Sequence, residues 1–240
     1  MFSSLEDKIE EYFHKSPTLT KEMLVNYIAS DFSELKLSTI DVYLSRLKRK
    51  GVITNPSRGL YSLSDKKEFS PEVGVKLTRL YNSIKKEYPF IEVCIWNTKW
   101  LNEFMRHQIF RSYVVIEVDK EASESVFYTL KDKGKQVFLE PDAETYNLYV
   151  NNSEDVIILR PLISEAPLSY SDTITVPTLE KLLVDMTIDT ELYGPQRAEL
   201  ESIYENAFQK YQVNKNKMNR YALRRNREQE VKRLVNLTLA

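Results

Sequence analysis

Ser38-Thr39-Ile40-Asp41-Val42-Tyr43-Leu44-Ser45-Arg46-Leu47-Lys48-Arg49-Lys50-Gly51-Val52-Ile53, followed by Arg58-Gly59-Leu60-Tyr61, decides how the first quarter of the chain folds. Ile40, Tyr43, Leu44 and Leu47 recur at the spacing of one helix face. Ser38 with Asp41 three positions later has the pattern of a capping box. Gly51 stands where a helix ends in a left-handed residue. Val52-Ile53-Thr54 and Leu60-Tyr61-Ser62-Leu63, parted by Asn55-Pro56-Ser57-Arg58-Gly59, predict two short strands around a turn. Upstream, Leu5, Ile9, Tyr12 and Phe13 predict a first helix, which Ser16-Pro17-Thr18 breaks. Met23, Leu24, Tyr27 and Ile28 predict a second, with Thr20 as its N-cap. Three helices and a hairpin predict a winged helix-turn-helix domain over residues 1–67, its third helix placed for recognition.

The outward face of that third helix carries Ser38, Thr39, Val42, Ser45, Arg46 and Arg49. Short polar groups and arginines suit a major groove: Arg forks onto guanine O6/N7, and Ser or Thr reaches bases or phosphates. Arg58, at the hairpin turn, is placed to reach a phosphate or a minor groove. These seven residues are the candidate contacts to double-stranded DNA. Two other readings stand beside this one. A winged helix also serves as a protein-interaction module without DNA binding. The run Arg46, Lys48, Arg49, Lys50 also suits a solvated helix end favoured by the macrodipole.

Residues 68–240 predict a separate α/β domain. Val73, Leu77, Leu80, Tyr81 and Ile84 form a helical stripe ended by Pro89. Residues 90–96, 113–118, 136–139, 148–150 and 156–159 predict strands. Helices are expected at residues 100–105 and 122–130. Strands alternating with helices imply a mixed sheet, so the fold class is mixed α+β. A helix is expected from Val176, with Pro177 near its first turn and Leu179, Leu182, Leu183 and Met186 along one side. Another runs from about Gln196 to Tyr211, and a last one from about Lys217 to Leu237. Arg220, Arg224, Arg225 and Arg227 give that last helix a candidate second basic surface, for phosphates, an acidic partner or this chain's own acidic middle.

Charge is unevenly spread. Residues 1–67 carry 11 basic and 9 acidic side chains, residues 68–208 carry 14 and 24, and residues 209–240 carry 9 and 2. The net charge of −1 therefore hides two basic ends around an acidic middle. A net of only +2 on the N-terminal domain favours cooperative or dimeric binding over tight monomeric binding. The absence of any long apolar run predicts no transmembrane helix and no signal peptide, and a cytoplasmic protein. One Cys in 240 residues excludes a disulfide framework and a cysteine zinc cluster. His14 and His107 have no partner at metal-ligand spacing. Five glycines leave no phosphate-cradling loop, and no dinucleotide fingerprint or Gly-x-Ser-x-Gly elbow is present. No cofactor, no metal and no enzyme activity is expected. A minor alternative is a metal-dependent nuclease using Glu92, Glu117 and Asp119; the opposing reading makes them solvent-facing strand positions.

The stretch from Ser38 to Ile53, closed by Arg58-Gly59-Leu60-Tyr61, resembles the N-terminal module of AbiEi-like antitoxins. These are transcriptional regulators of type IV toxin-antitoxin systems. Val176-Pro177-Thr178-Leu179-Glu180-Lys181-Leu182-Leu183-Val184-Asp185 resembles the helix that follows the sheet in the same proteins, in the same order. The resemblance implies a repressor that binds inverted repeats in its own promoter. It also implies that the larger C-terminal region counteracts a nucleotidyltransferase-like toxin, without a stable toxin complex. The chain lacks the Gly-Ser and paired-Asp pattern of that toxin.

Overall fold

The computed structural model describes residues 2–14, 16–64, 66–107, 111–171 and 173–238. The fold is mixed α+β, with eleven α-helices and several small sheets among the described residues. It divides into two compact units: residues 1–68 with 209–214, and residues 69–208 with 215–240. No helix among the described residues is long and apolar enough to cross a membrane.

The first unit runs α1 (Phe2–Phe13), β1 (Leu19–Thr20), α2 (Lys21–Asp31), α3 (Leu37–Lys50), β2 (Ile53–Thr54) and β3 (Leu60–Leu63). Leu5, Ile9, Phe13, Leu24, Ile28, Ile40, Leu44 and Leu47 bring one face of each helix into a shared core. β2 and β3 form the expected hairpin, Ile53 opposite Leu63 and Thr54 opposite Ser62. β1 is an addition: Leu19 lies opposite Tyr61 and Thr20 opposite Leu60, giving a sheet of order β1-β3-β2. Two residues are too few for a periodic signal, and burial of Leu19 in the core is what holds them there. Thr20 also caps α2, accepting the Met23 N–H at 3.2 Å.

The capping box at Ser38 is not formed. α3 starts one residue earlier, at Leu37, and its N-cap Lys36 makes no side-chain cap bond. Asp41 is drawn instead to Lys21, 2.9 Å away. That hydrogen bond and charge raise the Lys21 ammonium above its ordinary range. The far end is as expected: Gly51 is left-handed at φ 76°, its N–H reaching the Leu47 and Lys48 carbonyls. Residues 209–214, expected in the second domain, belong to the first unit. Tyr211 bridges Lys67, and the Gln212 N–H donates to the Lys67 carbonyl at 2.9 Å.

The second unit centres on four strands: β4 (Val93–Asn97), β5 (Val114–Val118), β6 (Val137–Leu139) and β7 (Ile157–Pro161). Their order is β4-β5-β7-β6, with β4 antiparallel to β5 and both other pairs parallel. Alternation gives the sheet two faces. Val93, Ile95, Val114, Ile116, Val118, Val137, Ile157 and Leu159 share a core with α4 (Val75–Glu87) and α5 (Ser123–Asp132). The other face carries Cys94, Trp96, Val115, Glu117, Ile158 and Arg160.

Several expected elements are different. Residues 98–104 form a 3-10 helix, not an α-helix. Residues 148–150 are not a strand. They close α6 (Ala143–Leu148), which Asp142 opens by accepting the Thr145 N–H, and begin a 3-10 turn. A hairpin of β8 (Leu168–Ser171) and β9 (Ile174–Pro177) precedes α7 (Leu179–Ile188). Pro177 thus closes a strand and sits before the helix, outside its first turn. A short α8 (Thr190–Tyr193) and a 3-10 stretch lead to α9 (Leu200–Lys210). The expected last helix is two, α10 (Lys215–Arg224) and α11 (Glu228–Thr238). Asn226 between them is left-handed at φ 55°, and this break turns Arg225 inward.

Candidate nucleic-acid interface and a buried charge network

α3 is amphipathic because its apolar residues fall on one side. Ile40, Leu44 and Leu47 are buried, and Ser38, Val42, Ser45 and Arg46 lie exposed on the opposite side. Thr39 is half-buried at the border. The Arg49 side chain lies outside the described residues. Four of the expected contacts therefore share one surface of one helix. Arg58 is exposed in the β2–β3 turn. That turn is fixed locally: Asn55 Nδ2 donates to the Leu60 carbonyl at 2.6 Å, and the Lys21 N–H donates to the Gly59 carbonyl at 3.2 Å. Asp41, a phosphate-repelling charge on α3, is matched by Lys21. The surface is not wholly polar. Leu37 is 67% exposed and Val42 49% exposed, with Met23 and Tyr27 of α2 also exposed.

Of the four arginines of the candidate second basic surface, Arg225 is turned inward and the other three are exposed. Arg220 and Arg224 are exposed on α10, but Arg224 forks onto the Ser164 hydroxyl at 3.1 and 2.6 Å. Arg225 donates to Asp185 at 2.8 Å and to the Tyr221 hydroxyl at 3.2 Å. Arg227 stands 3.9 Å from Glu230.

The row Cys94, Glu117, Arg160 crosses three strands in register on the second face of the sheet. α7 covers that face and is buried from Leu179 to Thr187. Its Lys181 ammonium, 0% exposed, reaches both Glu117 oxygens at 2.7 Å and Asp185 Oδ2 at 2.6 Å. Asp185 accepts further bonds from Tyr221, at 2.9 Å, and Arg225. Arg160 pairs with Asp189, beyond the end of α7. A buried charge is tolerable only with an opposite partner, which these three carboxylates and three cations supply to one another; among the described residues the buried Arg160 Nε–H is left without a hydrogen bond. Burial alone pulls the Lys181 ammonium down, but Asp185 and Glu117 outweigh it and hold it well above the ordinary lysine range. Burial, with the Glu117 charge beside it, pushes the Cys94 thiol up, so it stays protonated and unreactive.

Glu117 is thus neither a solvent-facing strand residue nor an open metal ligand. Glu92 is exposed and gives its backbone N–H to Asp119 at 2.9 Å. Among the described residues no group of three or more His, Cys, Asp or Glu is arranged to hold a metal ion. The sequence signal for the network is Lys181 and Asp185, four apart, inside a helix otherwise read by its apolar stripe. Spacing did not reveal Glu117, which joins from 64 residues away.

No curated protein matches the chain. The model of a family of unknown function (DUF6577) matches residues 39–240, which take in most of α3, the β2–β3 hairpin and the whole second unit, and the chain belongs to that family.

Proposed function

We propose that the protein is a DNA-binding transcriptional regulator of AbiEi-like antitoxin type, acting on its own promoter and opposing a nucleotidyltransferase-like toxin. The observation that carries the reading is the exposed row Ser38, Val42, Ser45 and Arg46 on α3, set against the buried Ile40, Leu44 and Leu47 and followed by a hairpin with Arg58 at its turn. That order suits a recognition helix with a wing. In this reading α3 enters the major groove of an inverted repeat, and Arg58 meets the backbone beside it. Phosphate contacts supply most of the affinity and make it fall with salt. The protein works in the cytoplasm, holds no cofactor and catalyses no reaction. The second unit carries the activity against the toxin, and its charge network serves to hold α7 and α10 on the sheet.

A gel shift with the DNA upstream of the protein's own gene, across a salt series, tests this. Wild type binds that DNA in preference to an unrelated duplex. Arg46→Ala weakens the specific complex by about 1–3 kcal/mol if it forks onto a guanine. Arg58→Ala weakens all duplexes alike and lowers the salt slope by about one. No specific binding at any salt removes the regulator reading. A protein-interaction module is the second reading, favoured by the exposed Leu37, Val42, Met23 and Tyr27. Absence of specific DNA binding by the wild type, with loss of a protein partner in Val42→Asp, would select it.

A further inference from the structure

β6 is the open edge of the four-stranded sheet, since at the opposite edge β9 lies alongside β4. The Ile157 N–H donates to the Gln136 carbonyl at 2.8 Å, and the Glu140 N–H to the Leu159 carbonyl at 2.9 Å. Gln136, Phe138 and Glu140 therefore turn their backbone groups toward β7. Successive residues turn opposite ways, so the N–H and C=O groups of Val137 and Leu139 face outward. Among the described residues no backbone group takes them. A cleft of about 570 Å³ runs along this edge, lined by Phe127, Lys131, Lys135, Phe138, Leu139 and Asp142 among others. Charge is polarised along it: of its lining residues, Lys131 and Lys135 precede the strand, and Glu140 and Asp142 follow it.

We propose that this edge pairs with the same edge of a second copy, antiparallel about a twofold axis at Phe138. That axis sets Val137 of one copy opposite Leu139 of the other, twice. Both are outward-facing residues, so each pair exchanges reciprocal N–H···O=C bonds. A slip of one residue would set an outward-facing residue against an inward-facing one, and a slip of two would set Val137 on Val137 or Leu139 on Leu139 and keep one reciprocal pair instead of two. A twofold contact needs a surface complementary to itself. Here Lys135 of each copy comes beside Glu140 and Pro141 of the other, at both ends of the joint. A short strand flanked by Lys and Pro is also how a sheet guards an edge against pairing, and the two roles give opposite results. This inference stands apart from the DNA reading.

Sedimentation equilibrium of the full chain, from about 1 to 200 µM, spans the affinities such a joint would have. Wild type shows a reversible monomer–dimer equilibrium. Leu139→Pro removes an outward N–H and no bond to β7, so the chain keeps its circular dichroism and loses the dimer. Lys135→Glu and Glu140→Lys each raise the dissociation constant at least about tenfold by setting like charges together, and an equimolar mixture of the two re-forms a dimer. If Leu139→Pro does not fold, the charge pair decides. A wild type that stays monomeric overturns the proposal. So does a dimer that survives Leu139→Pro, or a mixture that fails to restore pairing.

Discussion

Lys181 has no route to water, and its ammonium exists as a charge only because Glu117 and Asp185 meet it. Lys181→Met keeps the length and removes the charge, leaving two carboxylates facing each other's field in a buried layer. That substitution is expected to cost about 3–5 kcal/mol, read as a fall in the urea midpoint with unchanged slope. Adding Glu117→Gln removes one of the stranded charges, so the double variant should be more stable than Lys181→Met alone. Equal or lower stability in the double variant would mean that the two side chains are not coupled. The helix spacing made Lys181 and Asp185 visible as a pair. Only the strand register, which sets Glu117 between Cys94 and Arg160, shows what the pair is for.

Among the elements, α2 and α3 separate a working cap from an apparent one. Thr20 accepts the Met23 N–H, whereas Ser38 lies inside the first turn of α3 and caps nothing. Thr20→Ala should cost about 1 kcal/mol, and Ser38→Ala should stay within about 0.5 kcal/mol, in thermal unfolding. The same Ser38→Ala variant, tested on DNA, then reports recognition without a stability change. Two left-handed glycines make a second comparison. Gly59, at φ 81°, has open space around an added Cβ, so Gly59→Ala meets only the backbone cost of about 1–2 kcal/mol. At Gly51 an added Cβ would stand 2.5 Å from Gln212 Oε1 and 3.0 Å from Gln212 Cβ. Gln212 must then move and give up its 2.6 Å bond to the Lys66 carbonyl. Gly51→Ala is expected to be the more destabilising of the two, and equal losses would show that Gln212 yields freely.

Over the whole molecule, the shifted groups bound the pH range of stability. Cys94, Tyr193, Tyr221 and Lys181 are all held above their ordinary ranges, burial being the main cause for the thiol and the phenols and the two carboxylates for Lys181. As pH rises past the unfolded values, about 8.5 for Cys and about 10 for Tyr and Lys, the unfolded chain loses protons that the native protein keeps. Stability therefore falls as pH rises from about 8.5. Asp31 is held low by Lys8 and Tyr12, and Asp142 by Thr145. Their contribution is present above about pH 4 and is lost as pH falls through the lower folded values. Thermal midpoints across pH should show a plateau between about 5 and 8 with a decline on each side. A midpoint still rising above pH 9 would contradict the buried protonated cluster.

Hydrophobic periodicity and turn residues by themselves determined the helices of the first unit, the hairpin with its Pro/Gly turn and the four strands of the main sheet of the second. Each of these depends on residues near one another in the chain. Tertiary structure alone decided the rest. β1 is two residues long and exists because Leu19 reaches a core and Tyr61 a ladder. Residues 209–214 join the first unit through backbone bonds to Lys67, more than 140 positions away. Arg225 reads as a surface base in sequence, yet a left-handed Asn226 and the carboxylate of Asp185 turn it inward. A local pattern records which face of an element is apolar. Which distant charge will meet a buried one is fixed only when the elements pack, because the cost of leaving it unmet arises only there.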